Sequence, residues 1–145
     1  MSFETAINNT PLLREHLERG LQALGKNSSK VKSKDTQKCE GSVDIDRALA
    51  LIYSQENRWD YAVGYDGTTH FIEVHPADTS EITTMEEKRR WLKDFLRDKA
   101  PELNEEPKRF HWVATAGVNI SKNSTYQRRL ALLGIGGKIH KQLIL

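Results

Sequence analysis

The chain has 145 residues, 37% of them hydrophobic and 29% charged, with a formal net charge of +2, which fits a single soluble domain with a real core. No apolar run approaches the roughly 20 residues needed to span a bilayer, and the polar start MSFETAINN lacks the regions of a signal peptide, so no membrane partner and a cytoplasmic location are expected. The lone Cys39 excludes an intramolecular disulfide and a zinc knuckle, and so small a net charge does not by itself announce a nucleic-acid binder.

Thr10-Pro11 is a good helix start, and Leu12, Leu13, His16, Leu17, Leu21 and Leu24 then form one apolar stripe ending at Gly25. The spacing predicts an amphipathic helix that packs on the domain, docks a partner protein or pairs with a second copy of the chain. Residues 26–38 carry five lysines against one acid and almost nothing apolar, the pattern of a loop or linker. Its lysines either touch phosphates or stay solvated. Residues 1–41 are therefore expected as helix plus linker, and residues 42–145 as an α/β domain. Within the latter, Ser42 can cap a helix through Ser54, with Asp44 and Asp46 in its first turn and Ile45, Ala48, Leu49 and Ile52 facing a core.

The stretch RWDYAVGYDGTTHFIEVHPA reads as a hairpin, with strands at 59–65 and 69–74 joined at Asp66-Gly67, the dipeptide suited to a tight type I′ turn. A two-residue loop pairs Tyr65 with Thr68 and places Asp60 opposite Glu73; a four-residue loop would set Asp60 opposite His75 on the same face, and a three-residue loop would send Asp60 to the other side. With the two-residue loop, one face holds Asp60, Ala62, Gly64, Phe71, Glu73 and His75, and the other, read as core, holds Tyr61, Val63, Tyr65, His70, Ile72 and Val74. Two carboxylates so placed have Cβ atoms roughly 5 Å apart and repel unless a cation or a proton sits between them. A divalent metal would relieve the repulsion; pairing of Asp60 with Arg58 or Lys88 is the plainer alternative.

Pro76 is expected to end strand pairing. Thr83 with Glu86, and Thr84 with Glu87, offer capping boxes for a helix reaching about Lys99 before Pro101. Ile82, Met85, Leu92, Phe95 and Leu96 form its inward stripe, and helical spacing puts Lys88 on that stripe too. Such a lysine either snorkels to water or reaches the Asp60 and Glu73 face. After a loop at 104–108, FHWVATA (110–116) reads as a central strand, apolar on both faces. A helix at about 125–133 ends at Gly134, and Gly136-Gly137 turns the chain into a last strand, 138–145.

The order helix, hairpin, helix, strand, helix, strand belongs to an α/β sandwich with a mixed central sheet flanked by helices. In it an acid, Asp60, opens one strand, and the acid-x-basic triplet Glu73-Val74-His75 closes the next, just before a helix. Over residues 42–145 the chain resembles the PD-(D/E)XK nuclease superfamily, the restriction-endonuclease-like fold of type II restriction enzymes, Holliday-junction resolvases and many repair nucleases. The resemblance implies a Mg²⁺- or Mn²⁺-dependent endonuclease that hydrolyses phosphodiester bonds in DNA. Asp60 and Glu73 are then similar to the family's metal-binding acids, the Val74 carbonyl is a further ligand, and an upstream acid comes from Asp44, Asp46 or Glu40. His75 stands where the family has lysine, as a candidate general base or direct ligand, while Lys88 matches relatives that carry the lysine on the following helix. Lys122, Arg128, Arg129, Lys138 and Lys141 either contact the DNA backbone or form an exposed charged face. An imidazole of pKa about 6.5 is mostly neutral at pH 7, unlike lysine. That departure keeps a second reading open: a nuclease-like module without catalysis that binds protein or nucleic acid, docking or dimerising through its N-terminal helix.

Overall fold

The Asp66-Gly67 turn sets the frame of the sheet. In the computed structural model, which describes residues 2–145, both residues have positive φ, 48° and 79°, the backbone that a type I′ turn demands. Strands β3 (Tyr61–Tyr65) and β4 (Thr68–Asp78) consequently pair antiparallel with Tyr65 opposite Thr68 and Ala62 opposite Phe71, the register expected of a two-residue loop. Strand β2 (Cys39–Asp44) adds antiparallel to β3. On the other side β5 (Lys108–Asn119) adds parallel to β4, after a crossover through helix α3 (Ile82–Lys99). The result is an α/β fold around a mixed sheet of order β2-β3-β4-β5.

Both faces of this sheet are covered. Ala62, Phe71, Trp112 and Ala114 share a core with α1 (Phe3–Asn8), α2 (Ile45–Leu49), the stripe of α3 and α4 (Pro101–Glu105). Tyr61, Val63, Ile72 and Val113 pack instead with Leu24, Val31 and Leu143, where a short β1 (Val31–Lys32) runs parallel to β6 (Leu143–Ile144). The Asp60 and Glu73 face is therefore the helix-covered side and the rim of the larger core, and the opposite face is a second, smaller core. Among the described residues no helix is long and apolar enough to cross a membrane.

Several expected elements give way to tertiary pairing. Thr10 closes α1 instead of opening a helix, its Oγ1 donating to the Ala6 carbonyl at 2.8 Å. The leucine-rich stretch that follows breaks into 3₁₀ turns at Arg14–His16 and Gln22–Lys30, so no amphipathic helix is left to dock a partner. Glu18 exchanges backbone hydrogen bonds with Ser42 at 2.9 and 3.0 Å, and that edge pairing takes the place of helical bonds in mid-segment. Phe3, Ala6, Ile7 and Leu13 lie in the same core as the sheet. The lysine-rich segment is likewise tied down through β1. Ser42 belongs to β2, and Asp44 caps the five-residue α2, beyond which Leu51 and Ile52 are exposed.

Further along, β4 continues past Pro76, which sits at a ladder irregularity between His75 and Ala77, where a missing N–H is tolerated. Helix α3 starts at Ile82 without a side-chain cap; Thr83 and Glu86 bind Arg129 instead of closing a capping box. Pro101 opens α4, which takes in residues 104 and 105 of the expected loop. Strand β5 is not central but lies at the sheet's edge, where the Ala114 amide donates to the His140 carbonyl at 2.7 Å and the His140 amide to the Trp112 carbonyl at 3.0 Å. Helix α5 (Ser124–Leu132) forms as expected and Gly134 follows it at φ 73°, but the last strand shrinks to β6.

Gly64 shows how tightly α1 is pressed to the sheet: a Cβ there would lie 2.4 Å from the Phe3 ring. Gly64→Ala is expected to lower the unfolding free energy by about 1–3 kcal/mol, read from urea denaturation; an unchanged midpoint would mean that Phe3 does not pack there.

Candidate active site

Asp60 immediately precedes β3, and Glu73 lies across from it in β4. Beyond the last ladder pair of Tyr61 and Ile72, each acid captures an amide of the neighbouring strand. The Asp60 amide donates to Glu73 Oε1 at 3.0 Å, and the Val74 amide donates to Asp60 Oδ2 at 3.0 Å. Glu73 is 1% exposed. Its Oε2 lies 2.9 Å from Lys88 Nζ, which also donates to the Arg58 carbonyl at 2.8 Å. The lysine on the α3 stripe thus reaches the acids. A third group closes the cluster, His75, with Nδ1 3.4 Å from Glu73 Oε2 and Nε2 3.3 Å from Glu81 Oε1, close enough for ion pairing although Nε2 makes no aligned hydrogen bond.

The electrostatics of the two acids differ. Burial, reinforced by the Glu73 charge, pushes the Asp60 carboxyl up to about 7 against the pull of Lys88. Its Oδ1 accepts no hydrogen bond among the described residues. The hydrogen bond to Glu73 raises the His75 pKa above its ordinary value, against the effect of burial. An imidazole held between two carboxylates is more cationic than a free one, so His75 is closer to a fixed cation than its unperturbed pKa suggests.

The upstream acids turn elsewhere. Asp44 does not join Asp60 and Glu73 as a ligand: its Oδ1 accepts the Arg47 amide at 2.8 Å as the cap of α2, and burial raises its pKa. Arg58 holds Asp46 at 2.9 Å, and Glu40 accepts the Gly67 amide in the hairpin turn at 3.1 Å. The expected pairing of Arg58 with Asp60 is thus replaced by a pairing with Asp46. Among the described residues no three His, Cys, Asp or Glu side chains form a ready-made ion cage. Of the basic candidates, Lys122, Arg128, Lys138 and Lys141 are exposed, and Lys122 and Lys138 line one groove. Arg129 is taken up by Glu86, its Nε donating to Oε2 at 3.1 Å.

Glu81 and the Arg58 carbonyl escaped the sequence reading. Glu81 ends the 3₁₀ turn Thr79–Glu81, which places it 3.3 Å from His75 Nε2, and a backbone carbonyl leaves no trace in residue type. No protein-family model, no curated protein and no solved structure matches this chain. The site's chemistry therefore rests on its own geometry.

Two outcomes follow for stability. The folded chain keeps the Asp60 proton up to pH about 7, whereas the unfolded chain releases it near 3.8. Native protein then binds more protons across that window, and stability falls as pH rises through it. In EDTA, Asp60→Asn should remove this decline and exceed the native chain by on the order of 1 kcal/mol at pH 8; parallel urea curves at pH 5 and pH 8 test it. Lys88→Met, which strands the Glu73 charge, should cost about 3–5 kcal/mol. Much of that loss should return in the Lys88→Met/Glu73→Gln double variant, a coupling measured by a double-mutant cycle.

Proposed function

We propose that this chain is a metal-dependent nuclease of the PD-(D/E)XK kind that hydrolyses phosphodiester bonds in DNA. The observation that carries the proposal is the grouping of Asp60 and Glu73 on adjacent strands with Lys88 2.9 Å from Glu73. In support, Glu73-Val74-His75 lies in β4, and the helix that follows that strand supplies the lysine.

The residues fit a divalent ion. Asp60 is a buried acid beside a second acid, and one of its oxygens has no hydrogen-bond partner among the described residues. Asp60, Glu73 and the Val74 carbonyl would hold Mg²⁺ or Mn²⁺ through oxygen ligands. When bound, the ion supplies Lewis-acid polarisation of a phosphoryl oxygen and acidifies a water. Lys88 places a permanent charge where negative charge develops on the phosphate. His75, biased towards imidazolium by Glu73 and Glu81, stands beside it as a second cation when protonated and as a candidate general base when neutral.

One observation favours a second reading, a nuclease-like binding module without catalysis. Both Glu73 oxygens already have partners in Asp60 N–H and Lys88, a closed network that needs no metal. Mn²⁺ separates the two. For the nuclease, Mn²⁺ raises the melting temperature of the native chain but not of Asp60→Asn, and it supports nicking of supercoiled plasmid. Lys88→Met should lower that nicking about 10²–10³-fold, and Glu73→Gln should abolish it. An equal Mn²⁺ shift in the native chain and Asp60→Asn, with the plasmid intact, would leave the binding module.

A further inference from the structure

A second concavity, a cleft of about 860 Å³, is lined by the start of β5, by Arg89 of α3 and by the glycine-rich segment 134–138. None of Asp60, Glu73, His75 and Lys88 lines it. Its charge is one-sided. Arg89, Lys108, Arg109 and Lys138 all line it, and its one acidic side chain among the described residues, Asp66, lies 3.9 Å from Lys38. Among the described residues none of the four cations pairs with a carboxylate.

Arg89 is fixed in place. Its Cζ sits 3.4 Å from the centroid of the Phe110 ring, and its Nε donates to the Leu133 carbonyl at 3.2 Å. The two Nη groups make no hydrogen bond among the described residues. A stacked guanidinium with its outer fork unused is preorganised for a two-pronged anion such as phosphate. Beside Arg89 and Lys138 the backbone itself is approachable. Gly134 and Gly136 have φ of 73°, and a Cβ at Gly136 would meet nothing within 4 Å. Left-handed glycine backbone in open space lets a bulky oxyanion reach main-chain N–H groups.

His70 and His111 add polar but uncharged contacts. Their Nδ1 and Nε2 lie 2.8 Å apart in rings 19° from parallel, one imidazole donating to the other. Burial holds them at about 4 and about 3, so at pH 7 the positive charge of the cleft comes from arginine and lysine.

We propose that this cleft binds a phosphomonoester of nucleotide size. Its volume lies within the range of roughly 300–1,000 Å³ typical of small-molecule sites. The Phe110 ring, which carries Arg89 and stacks on Phe71, is part of its wall.

The test uses the full chain with pyrophosphate and adenosine 5′-monophosphate as probes, each followed by thermal shift and calorimetry at matched ionic strength. Both should give a saturable stabilisation that sodium chloride and adenosine do not. Arg109→Ala/Lys138→Ala removes two exposed cations and should weaken both probes about tenfold or more. Arg89→Met keeps apolar contact with Phe110 and should weaken them further; if it fails to fold, the double variant decides alone. A 5′-phosphorylated oligonucleotide that displaces the monophosphate, where its dephosphorylated twin does not, would assign the phosphate to a nucleic-acid end. Failure of both to displace it would assign a free nucleotide. Asp60→Asn should bind the probes as the native chain does, which separates this site from the nuclease reading. No saturable shift with either probe, or unchanged affinity in Arg109→Ala/Lys138→Ala, would overturn the proposal.

Discussion

A carboxylate removed from water joins the sheet to its helical layer. Glu73 is almost wholly buried, and an unpaired charge in that position would destabilise the fold by several kcal/mol. Lys88 answers it from the facing helix and also bonds the Arg58 carbonyl, so one ammonium group ties α3 to β4 and to the approach of β3. The contact fixes the rotation of α3 as well. Met85 and Leu92, about one turn to either side, are buried in the same orientation. The apolar stripe alone would tolerate some rotation, but a charge that must meet its partner at 2.9 Å tolerates little.

Asp60 meets the same low-dielectric rim with the Val74 amide but no cation of its own, and its carboxyl is pushed up to about 7. The pair is therefore asymmetric, with Glu73 clamped by Lys88 and Asp60 poised near neutrality. An incoming divalent ion would displace the Asp60 proton, so ion uptake and proton release would be coupled here. The nuclease and binding-module readings differ in whether this exchange takes place. Adjacent residues on one helix, Lys88 and Arg89, serve different places: the first neutralises a buried acid, and the second lies on an aromatic ring at the wall of a cationic cleft. A helix turns by about 100° per residue, enough to send neighbours to opposite sides of β4.

How much of this could be read from residues depended on whether the signal was local. Asp66-Gly67 specifies its turn through backbone conformation alone, so the register of Tyr65 with Thr68, and with it the meeting of Asp60 and Glu73, was legible. The stripe from Ile82 to Leu96 was legible for the same reason, including the misplaced lysine. Non-local pairing was not. Nothing in Leu12, Leu17 and Leu21 announces that Glu18 will bond across to Ser42, and a helix pattern dissolved into turns as a result. Ser42 and Thr10 have the chemistry of helix caps, yet Ser42 went to a strand and Thr10 bonded backward to Ala6. Strand β5 looked central because Trp112, Val113 and Ala114 are apolar on both faces. It is in fact an edge strand, partly shielded by the chain around His140, some thirty residues further along. Acids were the hardest to assign: Asp44, Asp46 and Glu40 each had a nearby backbone or arginine partner that competed with a shared site.

The smaller core is closed by β1 and β6, more than a hundred residues apart, with Leu143 packed beside Leu24 and Val31. While the chain is being synthesised, the hairpin and α3 can assemble early, but the apolar side formed by Tyr61, Val63 and Ile72 has only Leu24 and Val31 to cover it until Leu143 packs. For that interval a nascent chain displays part of a sticky β-surface, the kind of exposure that chaperones recognise, and closure of that face waits on a pairing between distant segments.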